Sequence, residues 1–408
     1  MARISLAWRA ALLCIGALAL WMPAAGHAQS PSVRECLRFA ATPPGISDQA
    51  AFQRALKSWI EACRQAVRDD AADPRLKVSL AGALSADGQR PEAVALYRAA
   101  AAQGDAEASY QLYDAYKSYD RSDVTKPQLV TRGEAELSLR KAAELGHPYA
   151  MWILAVLLDR GSTVKRDPAG AIHWAERAMA KPPKDTSPVD IQVRFGHFLA
   201  KGGNPEQRAR GIQILESAPR GRGDAKAYLA LAIRDSNPVR ARTLLEDAER
   251  SYPGHAIPAL ADMLIKGEGG AKDERRGLSL LQGRRASDVA AVKAALGQLH
   301  LEGRLVPRDV PEAVRLIRLE AIWSHEVRLQ VMGLLAANPD IRIANPGGFL
   351  YDATEAAELG EPGARAALID LKLSQNSQFR DKAGGCKLVE AAASAGDAAA
   401  ARRLPDCR

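Results

Sequence analysis

The sequence has few aromatic residues, a near balance of charge and no long apolar run beyond its first 21 residues. Phe, Trp and Tyr make up 5% of the 408 residues, so a nucleic-acid surface with interleaved aromatic and basic side chains is not expected. Lys and Arg number 56 against 48 Asp and Glu, and a formal charge of +8 is too small to indicate nucleic acid. A hydrophobic content of 47% is typical of a globular chain and excludes disorder or several membrane spans.

Signatures of enzymes and metal sites are also missing. The chain has no HExxH, GxxxxGK[ST], GxSxG or CxxC motif, and its seven His are scattered. Glycine pairs such as Gly202-Gly203 lie in predicted turns between helices, and a turn explains them without a bound phosphate. We therefore predict no catalytic residue, no metal ligand and no cofactor.

The first 28 residues have the three parts of a secretory signal peptide. Two arginines and no acid precede an apolar run that ends at Trp21, and small residues follow up to Ala28. The run has about 12 residues, fewer than the ~20 needed to cross a bilayer, which argues against the alternative of a membrane anchor. We expect cleavage near Ala28 and a periplasmic or secreted protein without a transmembrane segment.

Cleavage would leave four cysteines, an even number that indicates two disulfides in an exported chain. Three pairings are possible, and separations of 27 and 21 positions favour Cys36 with Cys63 and Cys386 with Cys407. The alternative is a metal ion bound by all four thiols. That site would require the two ends of the chain to meet, and it lacks any CxxC spacing.

A repeated pattern of apolar and small residues runs through most of the chain. Four stretches carry mainly such residues at offsets 0, 4, 5 and 8, and a glycine at offset 11 ends each: Gly161, Gly202, Gly267 and Gly303. This spacing traces one face of an α-helix that a left-handed glycine closes. The small residue at offset 5 allows a neighbouring helix to approach closely.

A second helix is predicted after each of these first helices. An aspartate that can cap it lies six residues after three of the glycines, at Asp167, Asp273 and Asp309. The spacing of turn glycines indicates a helix–turn–helix unit of about 32–42 residues, with degenerate units near 223–250 and 325–360. Since such a unit cannot bury its apolar face alone, we expect about ten units to stack into one all-α solenoid.

The pattern resembles the Sel1-like branch of the tetratricopeptide repeats, whose first helix has the form Ala-x-x-x-Leu-Gly-x-x-Tyr-x-x-Gly. The best matches are residues 150–178 and 296–313, and the resemblance extends over roughly 73–400. It implies a right-handed solenoid in an exported bacterial protein. The corresponding division is a signal peptide over 1–28, a disulfide-tied helical cap over 29–72, the solenoid over 73–400, and a C-terminal tail over 401–408.

The resemblance also implies a protein-binding scaffold without shared catalytic residues, in which the first helices line the concave surface. Tyr113 and Tyr119 stand where the repeat pattern has a small residue and the closing glycine. Because rigid aromatic side chains are favoured at interfaces, these two are candidates for contact with a partner, and the alternative is a locally adjusted core. Weaker candidates on comparable first helices are Arg194, His197, Lys293 and Gln298.

Three classes of function are consistent with these patterns. The first is a non-catalytic periplasmic scaffold that binds a protein or peptide on its concave helical surface. The second, which the resemblance suggests, is a component of an envelope exopolysaccharide-secretion assembly. The third is a glycan-acting enzyme, which would need an inserted catalytic domain, and no segment of that length interrupts the repeats.

Overall fold

A computed structural model describes residues 30–41, 49–118, 128–161, 164–283, 289–321, 324–358 and 360–407. The structure is 73% helical, and its described part contains 21 α-helices and no strand. The predicted all-α repeat fold is confirmed. The chain divides into two compact units, Met1–Asp87 and Gly88–Arg408. The predicted signal peptide lies outside the described residues, and the domain boundaries expected near 72 and 400 stay predictions.

The first unit contains three helices, α1 (Pro31–Ala41), α2 (Gln49–Asp69) and α3 (Pro74–Ala86). Cys36 on α1 and Cys63 on α2 form a disulfide with a Cα–Cα distance of 4.7 Å, as their spacing predicts. The carbonyl oxygen of Cys36 accepts hydrogen bonds from Ser79 Oγ on α3 at 3.0 Å and from Trp59 Nε1 at 3.2 Å. The disulfide and these hydrogen bonds tie the three helices together at one buried point.

The second unit contains the remaining helices. Their bounds are α4 (Arg90–Ala102), α5 (Ala106–Lys117), α6 (Arg132–Glu144), α7 (Pro148–Arg160), α8 (Pro168–Ala180), α9 (Pro188–Gly202), α10 (Pro205–Glu216), α11 (Gly223–Ile233), α12 (Pro238–Ala248), α13 (Pro253–Lys266), α14 (Glu274–Gln282), α15 (Ala290–Glu302), α16 (Val310–Ile317), α17 (His325–Ala337), α18 (Pro346–Glu358), α19 (Ala364–Leu373), α20 (Lys382–Ser394) and α21 (Ala398–Ala401). From α5 to α16 consecutive helices pack as pairs, α5 with α6 and so on. Beyond α16 the pairing changes, because α17 packs mainly against α19.

Most of the helix ends follow the predicted pattern. Three closing glycines adopt the left-handed conformation: Gly161, Gly267 and Gly303. Three aspartates accept a hydrogen bond from the backbone three residues later: Asp167, Asp273 and Asp309. The prediction is wrong at Gly202, which is the last residue of α9. There Gly203 follows in an extended conformation, because Asn204 already begins the capping box of α10.

Small residues bring the two helices of a pair into close contact. A Cβ added to Gly211 of α10 would lie 2.6 Å from the Ala200 nitrogen and 2.6 Å from the Gly196 oxygen of α9. In the α15–α16 pair, a Cβ on Gly297 would lie 2.6 Å from Ile317 Cγ1. Since backbone atoms cannot move aside without shifting the helix, the α9–α10 separation requires glycine at position 211.

Helices that are far apart in the sequence also meet in the second unit. Tyr116 on α5 donates a hydrogen bond to the carboxylate of Glu355 on α18, and Arg132 on α6 forms an ion pair with this carboxylate at 3.7 Å. Gln128 Nε2 donates to Tyr351 Oη at 3.2 Å, across 223 positions of sequence. Glu355 is 8% exposed, so its charge is compensated inside the protein by Arg132.

The end of the chain is held by the second disulfide. Cys386 on α20 and Cys407 in a short 3-10 helix form it with a Cα–Cα distance of 5.5 Å, which confirms the predicted pairing. Among the described helices, none combines the length and the apolar character that a membrane span requires.

The close contact between α9 and α10 predicts opposite effects for two glycine-to-alanine variants. Gly211→Ala should lower the free energy of unfolding by about 1–3 kcal/mol, because its Cβ overpacks against backbone atoms. Gly333→Ala is the matched control, since a Cβ at this exposed position of α17 meets no atom within 4 Å. Gly333→Ala should raise the free energy of unfolding by about 0.5–1 kcal/mol, because alanine lowers the conformational entropy of the unfolded chain. Urea denaturation measures both, and shifts of the same sign would contradict the packing argument.

The two disulfides should differ in their contribution to stability. Loops of 27 and 21 residues predict a loss of roughly 3–4 kcal/mol for either pair from chain entropy alone. Cys36→Ala/Cys63→Ala should lower the melting temperature more than Cys386→Ala/Cys407→Ala, because both members of the first pair are fully buried and leave a void. Thermal melts of the two double variants test this, and equal shifts would indicate that loop closure alone matters.

Candidate functional site

A cavity of about 540 Å³ lies within the second unit. Its walls come from the end of α7, from α9, from the starts of α13 and α15, and from the segment that joins α16 to α17. Seven ionisable side chains other than histidine line it: Arg160, Arg166, Arg194, Lys201, Asp159, Glu320 and Glu326. Four first helices, α7, α9, α13 and α15, therefore contribute to one cavity, as the stacking of repeats requires.

Two of the three acids form ion pairs with bases of the same cavity. Lys201 Nζ lies 3.1 Å from Asp159 Oδ1, and Arg166 Nη1 lies 3.8 Å from Glu326 Oε1. The third acid, Glu320, is partly buried, and this burial raises the pKa of its carboxyl above the ordinary value. The cavity thus neutralises most of its own charge while it keeps an excess of bases.

Arg194 has a different environment from the other bases. Its guanidinium carbon lies over the ring of Tyr228, 5.5 Å from the centroid. No carboxylate in the described part of the chain forms an ion pair with it. A cation–π contact of this kind contributes about 0.5–2 kcal/mol and fixes the side chain without neutralising it. The charge of Arg194 is therefore available to a ligand in the cavity.

His197 lies between Arg194 and Lys201 on α9. Its ring stacks on Tyr228 with a centroid distance of 4.0 Å, and neither of its nitrogens has a hydrogen-bond partner among the described residues. Burial lowers the pKa of His197 well below its usual value, and repulsion from Lys201 and Arg194 adds to this effect. The ring is consequently neutral at pH 7 and can both donate and accept a hydrogen bond.

His255 on α13 adds a second neutral imidazole. Its ring stacks on Tyr252 with a centroid distance of 5.2 Å and keeps an exposed surface. Desolvation by the surrounding protein lowers the pKa of His255 to about 4, helped by the positive charges of Arg194, Arg160 and Lys201. Arg194 and Lys201 therefore place positive charge near both histidines.

A second cavity of about 430 Å³ shares part of this wall. His197, Lys201 and His255 line both cavities, and Leu231 of α11 adds an apolar side chain to the second one. Leu231 is one of the few large apolar side chains that the described residues leave exposed. The two cavities together offer positive charge beside apolar surface.

The structure separates the predicted binding residues. Arg194 and His197 lie side by side in the large cavity. Gln298 lies instead in a smaller cavity of about 330 Å³, where its amide donates to Gln330 Oε1 at 2.9 Å. Lys293 is partly buried on α15 and lines none of these three cavities. Binding roles for Gln298 and Lys293 stay predictions.

Of the two candidate tyrosines, the structure describes Tyr113 and buries it. Tyr113 is 5% exposed, because offset 5 of the repeat faces the neighbouring helix, and its ring lies 6.4 Å from that of Tyr110. This burial does not favour a direct contact with a partner. Tyr119 lies outside the described residues, so its role stays a prediction.

Several cavity residues were not identified from the sequence. His197 follows Arg194 by three residues and Lys201 follows His197 by four, which places all three on one face of α9. This signal was present in the sequence. His255 and Glu320 carry no such signal, because only the stacking of distant repeats brings them to the same cavity.

A protein-family model described as Sel1 repeat matches residues 80–105, 148–181, 259–282 and 290–319. The chain carries Sel1 repeats in these four segments. The second and fourth matched segments contain the whole of the α7–α8 and α15–α16 pairs, and both pairs contribute residues to the cavity wall. Sel1 and tetratricopeptide repeats are typical of protein–protein interaction scaffolds.

Solved structures of other repeat proteins are similar to this Sel1-repeat chain. The Sel1 repeat protein from Oxalobacter formigenes is 23% identical to this chain. The match covers 76% of this chain and 90% of the Oxalobacter chain, with a TM-score of 0.38. The protective antigen c5321 of uropathogenic Escherichia coli, which displays an SLR fold, is 19% identical with coverage of 91% and 78% and a TM-score of 0.41. Yeast Tom70 is 14% identical with coverage of 86% and 84% and a TM-score of 0.38. No curated protein matches the sequence.

These superpositions are partial, and the fold assignment rests on the helix pairs themselves. The described residues of the Sel1-repeat chain contain no group of three or more His, Cys, Asp or Glu side chains that could hold a metal ion.

The low pKa of His255 predicts how stability depends on pH. As pH falls below about 6.5, the unfolded chain binds a proton on this residue, whereas the folded chain does so only near pH 4. The wild-type protein should therefore lose stability as pH falls, and His255→Gln should lose less. Melting temperatures between pH 7.5 and 5 measure the slope, with His173→Gln on the exposed face of α8 as control. Identical slopes for wild type and His255→Gln would contradict the expectation.

Proposed function

We propose that the protein is a non-catalytic scaffold that binds a protein or peptide partner in the cavity lined by its first helices. The cavity of about 540 Å³ carries this proposal, because its walls come from several repeats that are distant in sequence. A segment bound there would contact α7, α9, α13 and α15 at once. Its volume lies within the range of sites that hold a small ligand or a few side chains.

Binding at such a site depends on shape and on several separate contacts. Arg194 offers a charge, and His197 offers hydrogen-bonding groups that need no change of protonation at pH 7. Val289 and the neighbouring alanines at the start of α15 offer apolar surface on the opposite wall. Arginine and aromatic side chains in a partly enclosed site are typical of the residues that dominate binding energy.

We further propose that the mature protein acts outside the cytoplasm, in the periplasm or as a secreted protein. The signal-peptide pattern of residues 1–28 supports this location. The two disulfides support it as well, since disulfides persist mainly in oxidising compartments.

Site-specific crosslinking in intact cells tests the location of the binding site. A photo-crosslinking residue in place of Ala291, in the cavity wall, should form a reproducible adduct with a protein partner. The same residue in place of Leu137, which is 69% exposed on α6 and outside the cavity, should form none. Mass spectrometry identifies the adduct, and the mature protein released by osmotic shock should begin near Gln29.

The outcomes of this experiment separate the candidate functions. Protein adducts only at position 137, or at neither position, would contradict binding in the cavity. Glycan rather than protein at position 291 would favour the exopolysaccharide-secretion assembly over a protein-binding scaffold.

A further inference from the structure

The charges of the cavity indicate the chemistry of its partner, an inference that rests on the proposed function. We propose that the cavity binds an acidic segment of a protein partner, and that Arg194 is the principal contact for a carboxylate of this segment.

The distribution of charge supports an anionic ligand. Four bases line the cavity against three acids, and Asp159 and Glu326 already pair with Lys201 and Arg166. The remaining acid, Glu320, forms no ion pair with Arg194 in the described part of the chain. Arg194 is thus a base that a ligand carboxylate can pair with without first breaking an internal ion pair among the described residues.

The orientation of Arg194 is prepared for a carboxylate. Tyr228, on whose ring the guanidinium rests, is 1% exposed and shares a hydrogen bond of 2.7 Å with Tyr252. The ring that Arg194 contacts is thus fixed by burial and by this hydrogen bond. A guanidinium ordered by such a contact can form two parallel hydrogen bonds to a carboxylate, and its prior ordering reduces the entropy lost on binding.

His197 offers a second contact for a ligand. Its half-buried ring lines both cavities, and neither nitrogen has a hydrogen-bond partner among the described residues. The hydrogen-bonding groups of the ring are therefore available to a ligand in the cavity. A ligand that accepts a hydrogen bond from this ring, while its carboxylate meets Arg194, would satisfy the group.

Apolar surface beside these polar groups favours a peptide over an acidic polysaccharide. Val289, Ala290 and Ala291 form one wall of the large cavity, and Leu231 lies in the adjoining one. A peptide presents carboxylates and apolar side chains along one chain, whereas an acidic glycan presents hydroxyl groups next to its carboxylates. Apolar walls would leave such hydroxyl groups without partners.

Direct binding of defined peptides tests the proposal on the full mature protein. The probe is a short fluorescein-labelled peptide of alternating Glu and Leu. The control is the same peptide with Gln in place of every Glu. Fluorescence anisotropy at low salt should show binding of the Glu peptide at least about tenfold tighter than that of the Gln peptide. Arg194→Gln should weaken binding of the Glu peptide about tenfold. Arg220→Gln, at an exposed arginine outside the cavity lining, should leave it unchanged.

A gain-of-binding variant keeps the test decisive if Arg194→Gln does not fold. Glu320→Gln removes a carboxylate that repels an acidic ligand, so it should tighten binding of the Glu peptide several-fold. Equal affinities for the Glu and Gln peptides, or no effect of Glu320→Gln, would overturn the proposal. Tighter binding of a labelled oligogalacturonate than of the Glu peptide would also overturn it.

The crosslinking experiment keeps this inference separable from the proposed function. A protein adduct at position 291 whose crosslinked segment has no acidic residue would overturn acidic recognition alone. The absence of any protein adduct there would overturn the protein-binding function itself.

Discussion

The close contact between the two helices of each pair is the constraint on which the rest of the second unit depends. Gly196 and Gly211 bring α9 and α10 together at backbone distance, and Gly277 and Gly297 occupy comparable positions in later pairs. Short separations within pairs allow successive first helices to lie close together. The cavity forms among four of those helices, so its lining depends on how the repeats stack.

The positive charge of the cavity is tolerated because ion pairs within the cavity neutralise part of it. Several bases close together would repel one another, and the ion pairs of Lys201 with Asp159 and of Arg166 with Glu326 remove most of that repulsion. His197 avoids adding to it by remaining neutral. Arg194 has no ion-pair partner among the described carboxylates, and the ring of Tyr228 provides its contact instead. One unneutralised base is a smaller cost to stability than an unpaired cluster, and it can still determine specificity.

Features that depend on neighbouring residues could be predicted from the sequence, whereas those that depend on stacking could not. The cap at Asp167 and the left-handed Gly161 are local, and both predictions are confirmed. The departure of Tyr113 from the repeat pattern is consistent with either a partner contact or an adjusted core, and its burial agrees with the core. Glu320 joins Arg194 only because helices of three later repeats stack beyond α9, and no spacing within one repeat encodes that arrangement.

Contacts between distant helices determine how rigid the cavity is. Glu355 on α18 binds Tyr116 of α5 and Arg132 of α6, so the second unit cannot open at that point without exposing a buried charge. Breaking a buried ion pair by separating its partners is strongly unfavourable. At the cavity itself, the Arg166–Glu326 ion pair of 3.8 Å links the turn after α7 to the start of α17. A ligand there meets side chains that the stacked repeats have already brought together, so charge and fit determine which ligand binds.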